Sequence, residues 1–141
     1  MTDFDNLLKK YRDQFKKALV HLQYSFSKIE SLSATIPKLS EEDLETWEGF
    51  VARFGRATDI YVNKYLRMYV LKEDPTFSGS VRDILNAAEK YRLIDSAHQW
   101  IEIRELRNKA AHDYEDEKLE QHFKTIKQLT PIVFDVEKKL K

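Results

Sequence analysis

The sequence predicts an all-α protein, an antiparallel four- to five-helix bundle organised around two long helices. Three observations carry this. The 141 residues include only three glycines and three prolines while 34% are charged, a composition that favours long helices. Apolar residues recur at alternating steps of three and four through most of the chain, the period of one helix face. No stretch alternates polar and apolar residues with period two for long enough to make a strand. One domain covering residues 1–141 is expected, since a chain of this length buries roughly 68–70% of its unfolded surface without disulfide or metal staples.

The first helix is read from Phe4, Leu8, Tyr11, Phe15, Ala18, Leu22, Ser25 or Phe26, and Ile29, which predict a helix from about Asp3 to Leu32. Pro37 disfavours helical geometry in the residue before it, so a loop follows. Ser40 then caps a second helix whose first turn carries Glu41, Glu42 and Asp43 at the positive end of the helix dipole. Leu44, Trp47, Val51, Phe54, Thr58, Tyr61, Tyr65 and Met68 continue the spacing to Lys72-Glu73-Asp74-Pro75, giving a helix of about 30 residues. Gly49 and Gly55 lie inside it, each costing about 1 kcal/mol relative to alanine. Either a neighbouring helix approaches closely at them or the long helix tolerates them.

Residues 74–79 read as a loop, and Ser80 with Asp83 reads as a cap for a short third helix carrying Val81, Ile84, Leu85 and Ala88 and ending near Tyr91. Asp95-Ser96 cap a fourth, with Trp100, Ile103, Leu106 or Arg107, and Ala110 on its inner side, ending near His112-Asp113-Tyr114. Glu115, Asp116 and Glu117 open a fifth, carrying Leu119, Phe123, Ile126, Val133, Val136 and Leu140. Pro131 inside it predicts a kink near Lys127 or two helical pieces meeting there.

Composition excludes several functions. The chain has no cysteine, which removes disulfide scaffolds, thiolate metal sites and cysteine nucleophiles and fits a reducing cytosol. The first residues lack a basic stretch followed by an apolar one, and no apolar run reaches the ~18 residues needed to cross a bilayer. A soluble, cytoplasmic protein with no membrane contact is expected. Balanced charge, 24 basic against 24 acidic side chains, removes the broad positive field of a nucleic-acid coat, so any such contact needs a local cluster. Glycines at 49, 55 and 79 cannot form a phosphate-cradling loop, and there is no nucleophile-elbow pattern. His21, His98 and His122 are scattered and read as partly exposed helix residues. With neither an HExxH nor a paired Glu-x-x-His pattern present, no metal and no other cofactor is expected.

The segment from Trp100 to Tyr114 is different in kind. Arg104, Arg107, Asn108, Lys109, His112 and Tyr114 fall within eleven positions. At 100° per residue Asn108 and His112 share one helix face, Arg107 and Tyr114 stack on an adjacent one, and Arg104 reaches the same area. Ala110 and Ala111 leave that surface open to a second chain or a phosphate. Arginine offers a two-pronged donor for phosphoryl oxygens and histidine moves a proton near neutral pH, which together suffice for metal-free cleavage of RNA by its own 2′-hydroxyl. Beside this stands the plainer alternative that the basic side chains form solvated ion pairs with Glu102 and Glu105.

Arg107-Asn108-Lys109-Ala110-Ala111-His112-Asp113-Tyr114 resembles the Arg-x4-His-x-Tyr motif of the HEPN superfamily, with Asn108 as the polar residue that follows the arginine. Ser80-Val81-Arg82-Asp83-Ile84-Leu85, then Leu93-Ile94-Asp95 and Trp100, resemble the region upstream of the motif in HEPN (HepT-like) proteins described as nucleotidyltransferase substrate-binding subunits. Phe50-Val51-Ala52-Arg53-Phe54-Gly55-Arg56-Ala57 is similar to that group's second helix. The resemblance implies a bundle that forms a homodimer with the motif helices meeting at a cleft, and a metal-independent endoribonuclease in which Arg107 and His112 are catalytic, supported by Asn108. It also implies a toxin whose antitoxin is an MNT-type nucleotidyltransferase that transfers AMP to the motif tyrosine, here Tyr114. Two alternatives accompany it: a non-catalytic substrate-binding subunit of a nucleotidyltransferase complex, and a structural dimerisation module.

The residues add two expectations of their own. Helices of about 30 residues span ~45 Å, and their aromatic faces exceed what the shorter helices cover, so self-association is expected. Arg104, Arg107 and Lys109, doubled by a two-fold axis, would make a small basic cleft on an otherwise neutral surface, binding RNA at a point.

Overall fold

The computed structural model of the chain describes residues 2–112 and 116–141, of which 110–112 by their backbone alone. All regular structure among the described residues is helical: α1 (Asp3–Ile29), a 3-10 turn (Ile36–Lys38), α2 (Glu41–Asp59), a π-helical segment (Ile60–Leu66), α3 (Arg67–Glu73), α4 (Val81–Lys90), α5 (Ala97–His112), α6 (Asp116–Asp135) and a closing 3-10 turn (Val136–Lys139). The bundle class expected from the spacing is the fold observed. Among the described residues no helix is long and apolar enough to cross a membrane.

Local chemistry sets the helix starts. Thr2 and Asp5 form a reciprocal capping box on α1, Ser80 and Asp83 form one on α4, and the Ser40 hydroxyl accepts the Asp43 N–H on α2; each satisfies backbone donors that a helix cannot pair internally. α1 lies antiparallel to the second helix, and contacts step down one as they climb the other. The Trp47 indole donates to Ser33 O at 2.9 Å, Arg53 reaches Ser25 Oγ at 2.9 Å, Phe15 packs on Tyr61 at 4.7 Å, and Lys72 meets Asp5 at 2.6 Å.

The second long helix runs from Glu41 to Glu73, but Ile60–Leu66 adopts wider i→i+5 turns, which the apolar spacing does not foretell. Packing supplies the reason. Tyr61, Val62, Tyr65, Leu66 and Val70 are all buried, yet on uninterrupted 100° steps Tyr61 and Val70 would face opposite ways. The wide turns reduce that angle and return Val70 to the core. Met68, expected in the seam, is correspondingly only half-buried.

Tyr61 sits at the centre. Its ring packs on Phe15 of α1, on Tyr65, and on Trp100 of α5 at 5.3 Å, while its hydroxyl donates to Leu93 O. Burial pushes its pKa up, so the phenol stays a neutral donor. The chain reaches Leu93 through Arg92, whose φ of 61° lies in the left-handed region, a conformation costing roughly 1–2 kcal/mol outside glycine. α6 closes the other side, with Phe123 stacked on Trp47 at 5.0 Å and Glu120 accepting the Ile36 N–H. It passes through Pro131 as one helix, not two pieces, with the buried Thr130 hydroxyl donating back to Ile126 O at 2.7 Å.

Gly49 is exposed, with nothing within 4 Å of a Cβ placed there, so it is the tolerated glycine. Gly49→Ala is expected to raise the melting temperature by roughly 3 °C, following about 1 kcal/mol of helix propensity; an unchanged or lower midpoint would contradict this. Acid should weaken the bundle in a predictable sense. The Lys72 ammonium and the Thr2 cap hold the Asp5 carboxyl at about 2, and hydrogen bonds lower Asp83 and Glu120 as well. These groups bind protons more weakly folded than unfolded, so their stabilisation is complete above the unfolded value near ~4 and is lost as pH falls toward their folded values. Thermal melts from pH 7 to 3 should show this decline, shallower in Asp5→Asn.

Candidate functional site

The site is built on α5. Its first turn is fixed twice, by the Ser96 hydroxyl accepting the Gln99 N–H and by Glu89 Oε1 accepting the Ala97 N–H at 2.8 Å. Trp100 and Ile103 are fully buried and Leu106 packs partly buried against the core. That choice of inner residues leaves Arg104 and Arg107 at the edge facing α2, so the alternative between Leu106 and Arg107 on the inner side resolves to Leu106.

Arg107 crosses α2 at Gly55. A Cβ at that glycine would stand 3.0 Å from Arg107 Nε and 3.2 Å from Cγ, so a side chain there would have to displace the arginine. Of the two glycines in the second helix, Gly55 is therefore the one that permits close approach, and what approaches is Arg107. One turn further, at the junction of α2 with the π segment, stands Asp59. Its Oδ2 accepts from Arg107 Nη2 at 2.7 Å, and its Oδ1 lies 3.6 Å from Arg104 Nη1. Arg107 Nη1 also donates to Asn108 Oδ1 at 3.1 Å. Both arginines thus turn to α2, and among the described residues neither pairs with Glu102 or Glu105.

The electrostatics follow from the count of charges. Among the described residues one carboxylate, Asp59, faces two guanidinium groups, a net positive set. Arg107 keeps 38% of its side chain exposed, whereas Arg104 Nη1 is buried and among the described residues has only the longer 3.6 Å ion pair with Asp59. Beside it a shallow groove of about 190 Å³ between α4 and α5 is lined by Arg82, Arg104, Glu105, Asn108 and the apolar Val81, Leu85 and Ile101. An anionic group entering there would meet cations on an apolar floor. Among the described residues no three His, Asp or Glu side chains come together in a way that could hold a metal ion.

The structure brings Arg104, Arg107 and Asn108 together. His112 ends α5 with its backbone helical, one turn beyond Asn108, while its side chain and those of Ala110 and Ala111 lie outside the described residues, as does Tyr114 altogether. Asp59 is the residue that the motif reading misses. Its signal is its place four residues after Gly55 on the same α2 face, a glycine and a carboxylate where one arginine can both pass and pair.

An all-helical bundle with Arg104, Arg107 and Asn108 gathered toward the end of α5 fits the HEPN-like class of helical proteins that the sequence resembles. Over residues 10–141 the chain matches the family described as nucleotidyltransferase substrate binding protein like. It belongs to that family, the HEPN-like group that the motif and helix order resemble. No curated protein matches the chain.

The Arg107–Asp59 pair is measurable. A double-mutant cycle of Arg107→Ala and Asp59→Asn should give a coupling of about 1 kcal/mol, the upper end for a partly exposed pair; a coupling near zero would mean the contact holds nothing in place. Gly55→Ala should keep the fold and melting temperature while reducing that coupling to within error.

Proposed function

We propose that the chain is a HEPN-type toxin: a metal-independent endoribonuclease that acts as a homodimer and is silenced by an MNT-type nucleotidyltransferase antitoxin. The observation that carries this reading is the seating of Arg107, held by Asp59 and Asn108 at a net-positive junction yet still partly exposed. A guanidinium fixed in this way is prepared to receive phosphoryl oxygens without reorganising.

In this reaction the 2′-oxygen of RNA attacks the adjacent phosphorus and the P–O5′ bond breaks, leaving a 2′,3′-cyclic phosphate and a 5′-hydroxyl. His112 takes the 2′-hydroxyl proton and a proton is returned to the leaving 5′-oxygen. Arg107 compensates the charge that builds on the non-bridging oxygens, with Arg104 and Asn108 supporting it. Two copies facing across α5 would double the arginines in one cleft. Silencing follows when the Tyr114 phenol attacks the α-phosphorus of ATP, releasing pyrophosphate and leaving an anionic AMP that blocks RNA by occupancy and like charge. The family description itself ties these proteins to a nucleotidyltransferase.

A second reading, a non-catalytic substrate-binding subunit, is favoured by the same carboxylate: Asp59 already compensates part of the charge that catalysis would use. Activity separates the two. Purified wild type should cleave RNA in EDTA, and Arg107→Ala and His112→Ala should each lower the rate at least ~100-fold while folding is retained. Intact RNA with wild type supports the subunit reading instead. Incubation with the antitoxin and ATP should add one or more AMP masses to wild type and none to Tyr114→Phe; labelling that persists in the variant removes Tyr114 as acceptor.

A further inference from the structure

On the opposite side of the second helix's exposed ridge from the arginine junction runs a groove between α1 and α2 and its π continuation. It has a volume of about 450 Å³ and is lined by Gln14, Lys17, Ala18, His21, Arg56, Ile60 and Lys64. No carboxylate lines it. Among the described residues none of Lys17, Arg56 and Lys64 forms an ion pair. Asp13 lies one turn before Lys17 on α1, and among the described residues the two form no ion pair.

Aromatic rings stand at both ends. At one, Lys64 Nζ lies 5.8 Å from the Tyr11 ring. At the other, Tyr24 is 60% exposed, three residues after His21, with Lys28 Nζ 4.8 Å and the Arg53 guanidinium 5.7 Å from its centroid. Arg53 is itself tied to His21 O and Ser25 Oγ, so this end is held in place. Four residues of helix advance about 6 Å, so Lys17, His21 and Tyr24 follow one another along the groove at intervals that suit successive nucleotides. Cations along a groove that no carboxylate lines, with an exposed tyrosine at one end, form an arrangement that can bind single-stranded nucleic acid, the cations meeting phosphates and the ring receiving a base. An acidic protein surface would use the cations but has no need of the exposed ring.

We propose that the α1–α2 groove is a single-stranded RNA-binding track, with Lys17, Arg56 and Lys64 on the backbone and Tyr24 as a stacking platform. It rests on the ribonuclease reading for the fate of the strand and deepens it: Arg56 adjoins Gly55, so RNA in the groove would pass beside the α2–α5 junction. A weakly basic cutting site would thus gain affinity from a surface outside the motif.

The test is fluorescence anisotropy of a fluorescein-labelled single-stranded 12-mer RNA of mixed sequence, with circular dichroism melts as the folding control. Wild type should bind with a log–log salt slope that Lys17→Gln and Arg56→Gln each reduce by ~0.7, the share of one neutralised phosphate on a single strand. The double variant should bind at least tenfold more weakly. Tyr24→Phe should retain affinity and Tyr24→Ala should weaken it about fivefold or more, within the range for one stacked base. Unchanged affinity in the folded double variant, or displacement of RNA by polyglutamate at lower concentration than by unlabelled RNA, would overturn the proposal. Wild type that binds through these residues without cutting keeps the groove and loses the ribonuclease; wild type that cuts with an unchanged KM in the double variant does the reverse.

Discussion

Tyr61 carries a phenol into the middle of the bundle, and much of the structure is arranged around giving that hydroxyl a partner. A buried donor left unpaired would cost roughly 1–3 kcal/mol, and the acceptor that meets it, Leu93 O, belongs to the turn between α4 and α5. That bond fixes where α5 begins. The left-handed Arg92 brings the turn into reach, the Trp100 ring then packs at a tilt against Tyr61, and two helical turns later Arg107 arrives over Gly55. Asp59, two residues before Tyr61, is set by the same segment. The position of the arginine is thus inherited from the core.

The charges are organised locally on a neutral whole. Several acidic groups are already committed: Asp5 to Lys72, Asp95 to Lys139, Glu120 to Lys124 and Asp59 to the two arginines. Lys17, Arg56 and Lys64, which join no ion pair among the described residues, line the groove between α1 and α2, on the other flank of the helix that supplies Asp59. A zero net charge therefore hides an uneven surface, and the unevenness follows one helix.

The helices are legible in the sequence because their apolar steps and caps are both local signals. Ser40 with its acidic neighbours, and Ser80 with Asp83, mark starts that the structure reproduces to the residue. The π segment is hidden because Tyr61, Val62, Tyr65 and Leu66 satisfy a regular helical stripe as well as a widened one, and only the burial of Val70 tells them apart. Gly49 and Gly55 look alike in sequence, since what separates them is a side chain arriving from residue 107. Asp59 is hidden for a related reason: a lone acid on a helix reads as solvated until the partner from another element is in view. The arginines are legible as a motif, but the helix they turn to is not, because Glu102 and Glu105 are nearer in sequence and Asp59 is nearer in space.

The empty side of Gly55 has a genetic meaning. Every single-base missense change in a glycine codon installs at least a methyl group or a hydroxymethyl. At this position the smallest of them gains helix propensity while pushing against Arg107, so the two effects offset in stability and the arginine alone is displaced. Position 55 is then a point where one nucleotide change can displace Arg107 without sacrificing the bundle. Any binding role carried by the rest of the surface would survive the change.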